Sequence, residues 1–159
     1  MPWIDHSSFS ASTNMLTMLV EQTNVYSTQK YGSSVITTLQ ELEQYVGIYL
    51  KMGLTKMPNV RCYSENGTRY SPIADKMSRN RFLKLMQCMH VVNNMESTEE
   101  AKKDKLWKIH PWISLLQHNL KSIAQEEFNA VDEIMVSFTG RSSLKQYIPN
   151  KPTPRGFKL

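Results

Sequence analysis

The stretch Val131-Asp132-Glu133-Ile134-Met135-Val136-Ser137-Phe138-Thr139-Gly140-Arg141, continuing through Ser142-Ser143-Leu144-Lys145-Gln146-Tyr147-Ile148-Pro149-Asn150-Lys151-Pro152 to Leu159, decides the fold. Its Val, Ile, Met and Phe content predicts a strand over 130–138. Alternation puts Asp132, Ile134, Val136 and Phe138 on one face and Val131, Glu133, Met135 and Ser137 on the other. Asp132 therefore shares the more apolar face. An ionised carboxylate there costs on the order of several kcal/mol unless a metal ion, an Arg or exposure at a strand edge compensates. Glu133 points the opposite way, so a regular strand cannot aim both acids at one ion, and a salt bridge or solvation is its expected role. Thr139-Gly140 marks a turn. Pro149, Pro152 and Pro154 keep the following segment extended and non-helical, and a second strand is expected from Gly156.

Charge is placed unevenly around this stretch. The chain has 159 residues and a formal net charge of +5, and all 14 acidic residues lie at or before Glu133. Lysines and arginines balance those acids up to that point, so Arg141, Lys145, Lys151, Arg155 and Lys158 carry the whole excess. A field concentrated this way suits a polyanion, although a solvated basic loop gives the same composition. Ser142, Ser143, Gln146, Tyr147 and Asn150 add donors suited to phosphate oxygens. Tyr147 either stacks on a base or anchors the loop.

Upstream the periodicity is helical. Residues 1–12 read as an irregular Ser-rich lead-in. Leu16, Leu19, Val20, Thr23 and Tyr26 form one helical stripe that frays near Thr28 to Gly32. Thr38-Leu39-Gln40-Glu41 predicts a capping box, with a core face of Leu39, Leu42, Val46, Tyr49 and Leu50 and Gly53 after the C-cap. Leu54 to Arg69 reads as a loop. Ser71-Pro72 reads as an N-cap followed by proline at the first helical position. Ser78 should cap a helix from Arg79 to about His90, buried through Phe82, Leu85, Met86 and Met89. After a charged linker, a short helix is expected over Leu106 to His110. Another starts at Pro111, with Ile113, Leu116, Leu120 and Ile123 inward.

Several function classes find no support. Cys62 and Cys88 lack zinc-site spacing and make no disulfide framework, which points to a reduced intracellular setting. No apolar run approaches membrane-spanning length, and the N-terminus lacks the pattern of a secretory signal. No phosphate-binding glycine loop or nucleophile elbow is present. Arg79 and Arg81 sit in the first turn of a predicted helix, at its positive pole. A phosphate would relieve that arrangement; solvent, or Asp75, would do so equally.

The long motif from Val131 to Pro152 resembles the piggyBac transposase family, including its domesticated relatives. Glu21-Gln22-Thr23-Asn24, Gly47-Ile48-Tyr49-Leu50-Lys51-Met52-Gly53-Leu54, Met77-Ser78-Arg79-Asn80-Arg81-Phe82 and Ile109-His110-Pro111 follow in the same order. The resemblance implies a mainly α chain. A helical dimerisation and DNA-binding region over 13–127 would lead into the first one or two strands of an incomplete ribonuclease-H-like α/β domain over 128–159. It makes Asp132 the first of three metal-binding catalytic aspartates, with Mg²⁺ as the ion of the intact family. The other two are expected beyond Leu159, so Asp132 alone is an incomplete metal site and this fragment should bind no cofactor. Arg141, Lys145, Lys151, Arg155, Arg79 and Arg81 become candidate contacts to transposon-end DNA. A nuclear setting and pairing with itself or a full-length relative follow by the same route. Three readings of the chain stand: a catalytically inactive transposase fragment, a non-catalytic binding module, or a relic or incomplete gene record.

Overall fold

A computed structural model describes residues 6–121, 127, 128, 130 and 132–158. The first helix, α1 (His6–Tyr31), begins inside the stretch expected to be irregular. Among its residues from Asn14 on, Met15, Leu19, Thr23 and Ser27 are the buried positions, spaced by four as one helix face requires. Leu16, Val20 and Tyr26 flank that face half-buried. The helix stops where Gly32 takes φ 74° and donates its N–H to the Thr28 carbonyl at 2.9 Å, a left-handed termination that glycine adopts without strain.

The return loop is tied to α1 by side chains. Asn24 Oδ1 accepts from the Thr37 N–H at 2.8 Å while Asn24 Nδ2 donates to the Thr37 carbonyl at 2.9 Å. Ser27 Oγ accepts from the Val35 N–H at 2.8 Å. Between the buried Val35 and Thr37, Ile36 has φ 50° and is 75% exposed.

Helix α2 (Leu39–Leu54) starts as the sequence predicts, with Thr38 Oγ1 accepting the Glu41 N–H at 3.2 Å. The reciprocal half of the capping box is replaced, because Glu41 turns to Thr37 and Arg81 instead. Gly53 lies within the helix, which caps at Thr55. The buried face is Leu42, Tyr45 and Ile48, while Tyr49 and Leu50 lie exposed. Both flanks of this helix are apolar, so its period could not choose between them. The choice is made by packing, in which the Tyr45 ring lies 4.8 Å from Phe82.

The segment expected to be a plain loop holds a 3₁₀ turn, Val60–Tyr63. Tyr63 is buried at its end, donating its hydroxyl to the Thr55 carbonyl at 2.5 Å and accepting the Met57 N–H at 3.2 Å. Those bonds satisfy backbone groups that a loop over a core would leave unpaired. The short helix α3 (Ser71–Ala74) has Tyr70 at its cap position, so Ser71 is its first residue and caps nothing. Helix α4 (Arg79–Cys88) is capped by Ser78 Oγ from the Arg81 N–H at 3.3 Å. It buries Phe82, Leu85 and Cys88, leaves Met86 exposed and stops two residues short of His90. Leu19, Leu42, Tyr45, Ile48, Phe82 and Leu85 belong to one core cluster.

Leu106 to Ile109 form turns rather than the expected helix, held by Asp104 Oδ1 on the Leu106 N–H at 2.9 Å. Helix α5 (His110–Lys121) follows and has no buried residue. Trp112 packs against the core, whereas Leu116 and Leu120 stay exposed; Ile123 lies outside the described residues.

The chain divides into two compact units, residues 1–120 and 121–159. The second holds a three-stranded antiparallel sheet in the order β1 (Met135–Ser137), β3 (Arg155–Lys158), β2 (Gln146–Tyr147). Val136 pairs with Phe157, Ser137 and Gln146 flank Gly156, and Tyr147 pairs with Arg155. A Cβ at Gly156 would lie 1.9 Å from the Val136 carbonyl oxygen, so this crossing admits only glycine. Strand β2 was not expected. Its two residues sit between proline and serine breakers, too short a run for a period-two signal. The chain is thus mainly helical with a small antiparallel sheet. Among the described residues no helix is long and apolar enough to cross a membrane.

Candidate nucleic-acid interface

Asp132 stands outside the ladder. The strand expected over 130–138 is hydrogen-bonded only from Met135, which faces Lys158, so Asp132 precedes the paired strand by three residues. It is exposed, and its Oδ1 accepts the neighbouring Glu133 N–H at 2.7 Å. The burial penalty inferred from an apolar strand face does not arise, because the regular alternation that placed it there starts later. Glu133 forms a salt bridge with Lys158, the simple role the sequence favoured for it. Among the described residues no three of His, Cys, Asp and Glu gather as a metal-holding group. A single exposed carboxylate beside an acid already engaged with lysine does not fit a divalent-ion site.

The basic residues fall into two groups. In the second unit, Arg141 and Lys151 have no hydrogen-bond or ion-pair partner among the described residues, and Arg141 is exposed. Lys145 Nζ donates one bond to the Gly140 carbonyl at 2.9 Å. The Arg155 guanidinium sits over the Tyr147 ring at 5.4 Å, the two residues being direct cross-strand partners. Tyr147 is 63% exposed, so it supports a guanidinium and does not anchor the loop in a core. Lys145 and Arg155 share an open cleft of about 400 Å³ with Ser137, Thr139 and Thr153. Those three hydroxyl residues were not singled out from sequence. The signal was present, since hydroxyls stand at both ends of the loop, but its return to the end of β1 was not readable.

In the first unit, Arg81 is committed internally. Its Nε and Nη2 meet the Glu41 carboxylate oxygens at 2.6 and 2.7 Å, and Nη2 also reaches the Ile36 carbonyl at 3.4 Å. The hydrogen bond from Arg81 holds the Glu41 carboxyl below the usual carboxylate range, and Glu41 in turn raises the Arg81 guanidinium. Glu41 was read as a capping residue, and its role as the partner of Arg81, forty positions on, had no local signal. Arg79 is half-buried beside Asn59, Arg61 and Asn80. Asp75 pairs with Arg69, not with Arg79 or Arg81.

This arrangement can be set beside known proteins. The Transposase IS4 family model matches residues 9–159. The chain is 29% identical over 148 residues to human PiggyBac transposable element-derived protein 3, an overlap of 91% of this chain and 24% of that protein. The human Chimeric ERCC6-PGBD3 protein matches at the same identity, with 14% of its length covered. The chain therefore spans about a quarter or less of these curated relatives. Its fold is similar to that of a chain in the cryo-EM structure of a piggyBac transposase synaptic complex with hairpin DNA. The TM-score is 0.75 at 19% identity, over 96% of this chain and 34% of that one. With a family model spanning almost its whole length, the chain belongs to the piggyBac-type transposases.

Proposed function

We propose that these 159 residues form the DNA-contacting and assembly portion of a piggyBac-type cut-and-paste transposase, and that by themselves they do not cleave DNA. The observation that carries this reading is the family match over residues 9–159 together with the confinement of the whole positive excess to residues 141–158, in the second unit. Arg141 and Lys151, unengaged among the described residues, are the proposed phosphate ligands. Lys145 and Arg155 keep donors to spare. Arg79 is a further candidate, whereas Arg81 serves the fold through Glu41. The sheet of the second unit is read as the start of a ribonuclease-H-like domain, with Asp132 at the position of its first acid. A DNA substrate carries with it a nuclear setting. Two-metal strand transfer needs several carboxylates around ions about 3.5–4 Å apart, and among the described residues no such group gathers around Asp132.

Titration of a DNA duplex at two salt concentrations tests the contact. Affinity should fall steeply with salt, and Arg141→Ala and Lys151→Ala should each lower the log–log slope by about one. A salt-independent affinity would remove phosphate contacts from the account. Mg²⁺-dependent nicking by the purified chain, abolished in Asp132→Ala, would overturn the non-cleaving assignment.

A second reading, a non-catalytic module that pairs with itself or with a longer relative, is favoured by one observation. Tyr49, Leu50 and Leu54 are 59%, 66% and 84% exposed along α2. Sedimentation of the wild-type chain and of Leu50→Ser distinguishes the two readings.

A further inference from the structure

We infer that the cleft at the end of β1 is a built seat for one phosphodiester group of a nucleic-acid backbone, gripped by two cations and by hydroxyls from both ends of the basic loop. The inference rests on the DNA reading above and adds the residues that make the seat. Ser137 and Thr139 supply hydroxyls from one side, Thr153 supplies one from the other, and Lys145 and Arg155 line the same cleft of about 400 Å³. No carboxylate lines it. Glu133, close by in sequence, is taken up by Lys158, and Asp132 Oδ1 accepts the Glu133 N–H.

The donor inventory fits a doubly liganded oxyanion. Lys145 has three N–H donors and uses one, on the Gly140 carbonyl. That bond fixes the ammonium group and leaves two donors. Arg155 is steadied over the Tyr147 ring at 5.4 Å, a cation–π contact that occupies no hydrogen-bond acceptor and leaves its N–H donors available. Strand pairing fixes the walls: the Phe138 N–H donates to the Arg155 carbonyl at 3.4 Å, and the Ile148 N–H to the Pro154 carbonyl at 2.8 Å. Gly156 permits this close return of the chain. Two mobile lysines on a loop would give affinity without position. Cations held by internal contacts, with neutral donors between them, give both.

The test separates this seat from the general charge of the loop. In the full chain, Thr139→Val with Thr153→Val removes two hydroxyls at nearly constant shape. Duplex affinity should fall roughly tenfold or more at unchanged salt slope, since hydrogen bonds to a charged group are lost but no cation is. Thr139→Ser with Thr153→Ser should retain wild-type affinity, which a merely structural role of the threonines would not predict. Inorganic phosphate should shift the Thr139 and Thr153 amide resonances at millimolar concentration, and a duplex should do so far below that. If the double Val variant binds as wild type while Arg141→Ala and Lys151→Ala weaken binding, the cleft proposal is overturned and the DNA reading stands. If no variant changes affinity, both fall. Loss of binding in the double Ser variant also overturns the seat. Shifts with inorganic phosphate but none with duplex would assign the cleft to a free anion.

Discussion

The helical unit closes on itself by side chains, and the strand unit closes by backbone. Leu42 and Leu85 are fully buried in the first. In the second, Gly156 is the only buried position among the described residues after Lys121, and Val136, Phe138 and Tyr147 remain exposed. Burial of a leucine is repaid in apolar area wherever its helix lies. A glycine crossing contributes almost no area but fixes one register. Stability in the two regions should therefore respond to different kinds of substitution.

The sharpest way to break that contrast is Gly156→Ala. The added methyl meets a carbonyl at 1.9 Å, so β1 and β3 must separate, at a cost of at least about 3 kcal/mol. Amide exchange at Phe157 and Lys158 should lose its protection; retained protection would mean that the crossing is looser than described. Leu42→Ala comes next, with about 3 kcal/mol lost in urea unfolding followed by helical signal. Val136→Ala, its counterpart on the sheet, should cost no more than about 0.5 kcal/mol because Val136 is 43% exposed. Equal losses from these two would abolish the comparison.

Arg81→Ala should cost about 2 kcal/mol, the worth of charge-assisted bonds to a partly buried carboxylate. Glu41 has its carboxyl lowered in the fold, so the folded chain binds fewer protons there than the unfolded chain. The pair's contribution is complete above the ordinary carboxylate pKa and drains away as pH falls through the lowered folded value. Glu41→Gln should flatten that acid-side slope in thermal unfolding followed against pH. Thr38→Ala should cost less than Arg81→Ala, about 1 kcal/mol through the lost cap of α2.

What was legible in the sequence follows the same division. Caps that rest on one residue and its third neighbour, Thr38 with Glu41 and Ser78 with Arg81, were readable because their physics is local. The buried stripe of α2 was readable only in part: Leu42 is buried and Val46 packs on the core as expected, but Tyr49 and Leu50 satisfy helical spacing as well as Tyr45 and Ile48 do, and only Phe82 decides between them. The site divided likewise. The basic loop declared itself by composition, and the engagement of Glu133 with Lys158 fitted its opposite face. The exposure of Asp132 did not show, because alternation was extended upstream of the point where pairing begins. The Arg81–Glu41 tie and the meeting of Thr139 with Thr153 in one cleft are products of chain return, which no window of neighbours contains.

The tie between Asn24, Ser27 and the loop at 35–37 has a consequence in time. One carboxamide offers Thr37 both a donor and an acceptor, as a neighbouring strand would, while the serine hydroxyl takes up Val35. The two side chains face the same way only once the intervening turn is wound. The loop thus has no template until α1 exists, and the entry to α2 inherits that order of events. A probe placed at Val35 should report docking later than helix formation in α1, whichever segment of the chain collapses first.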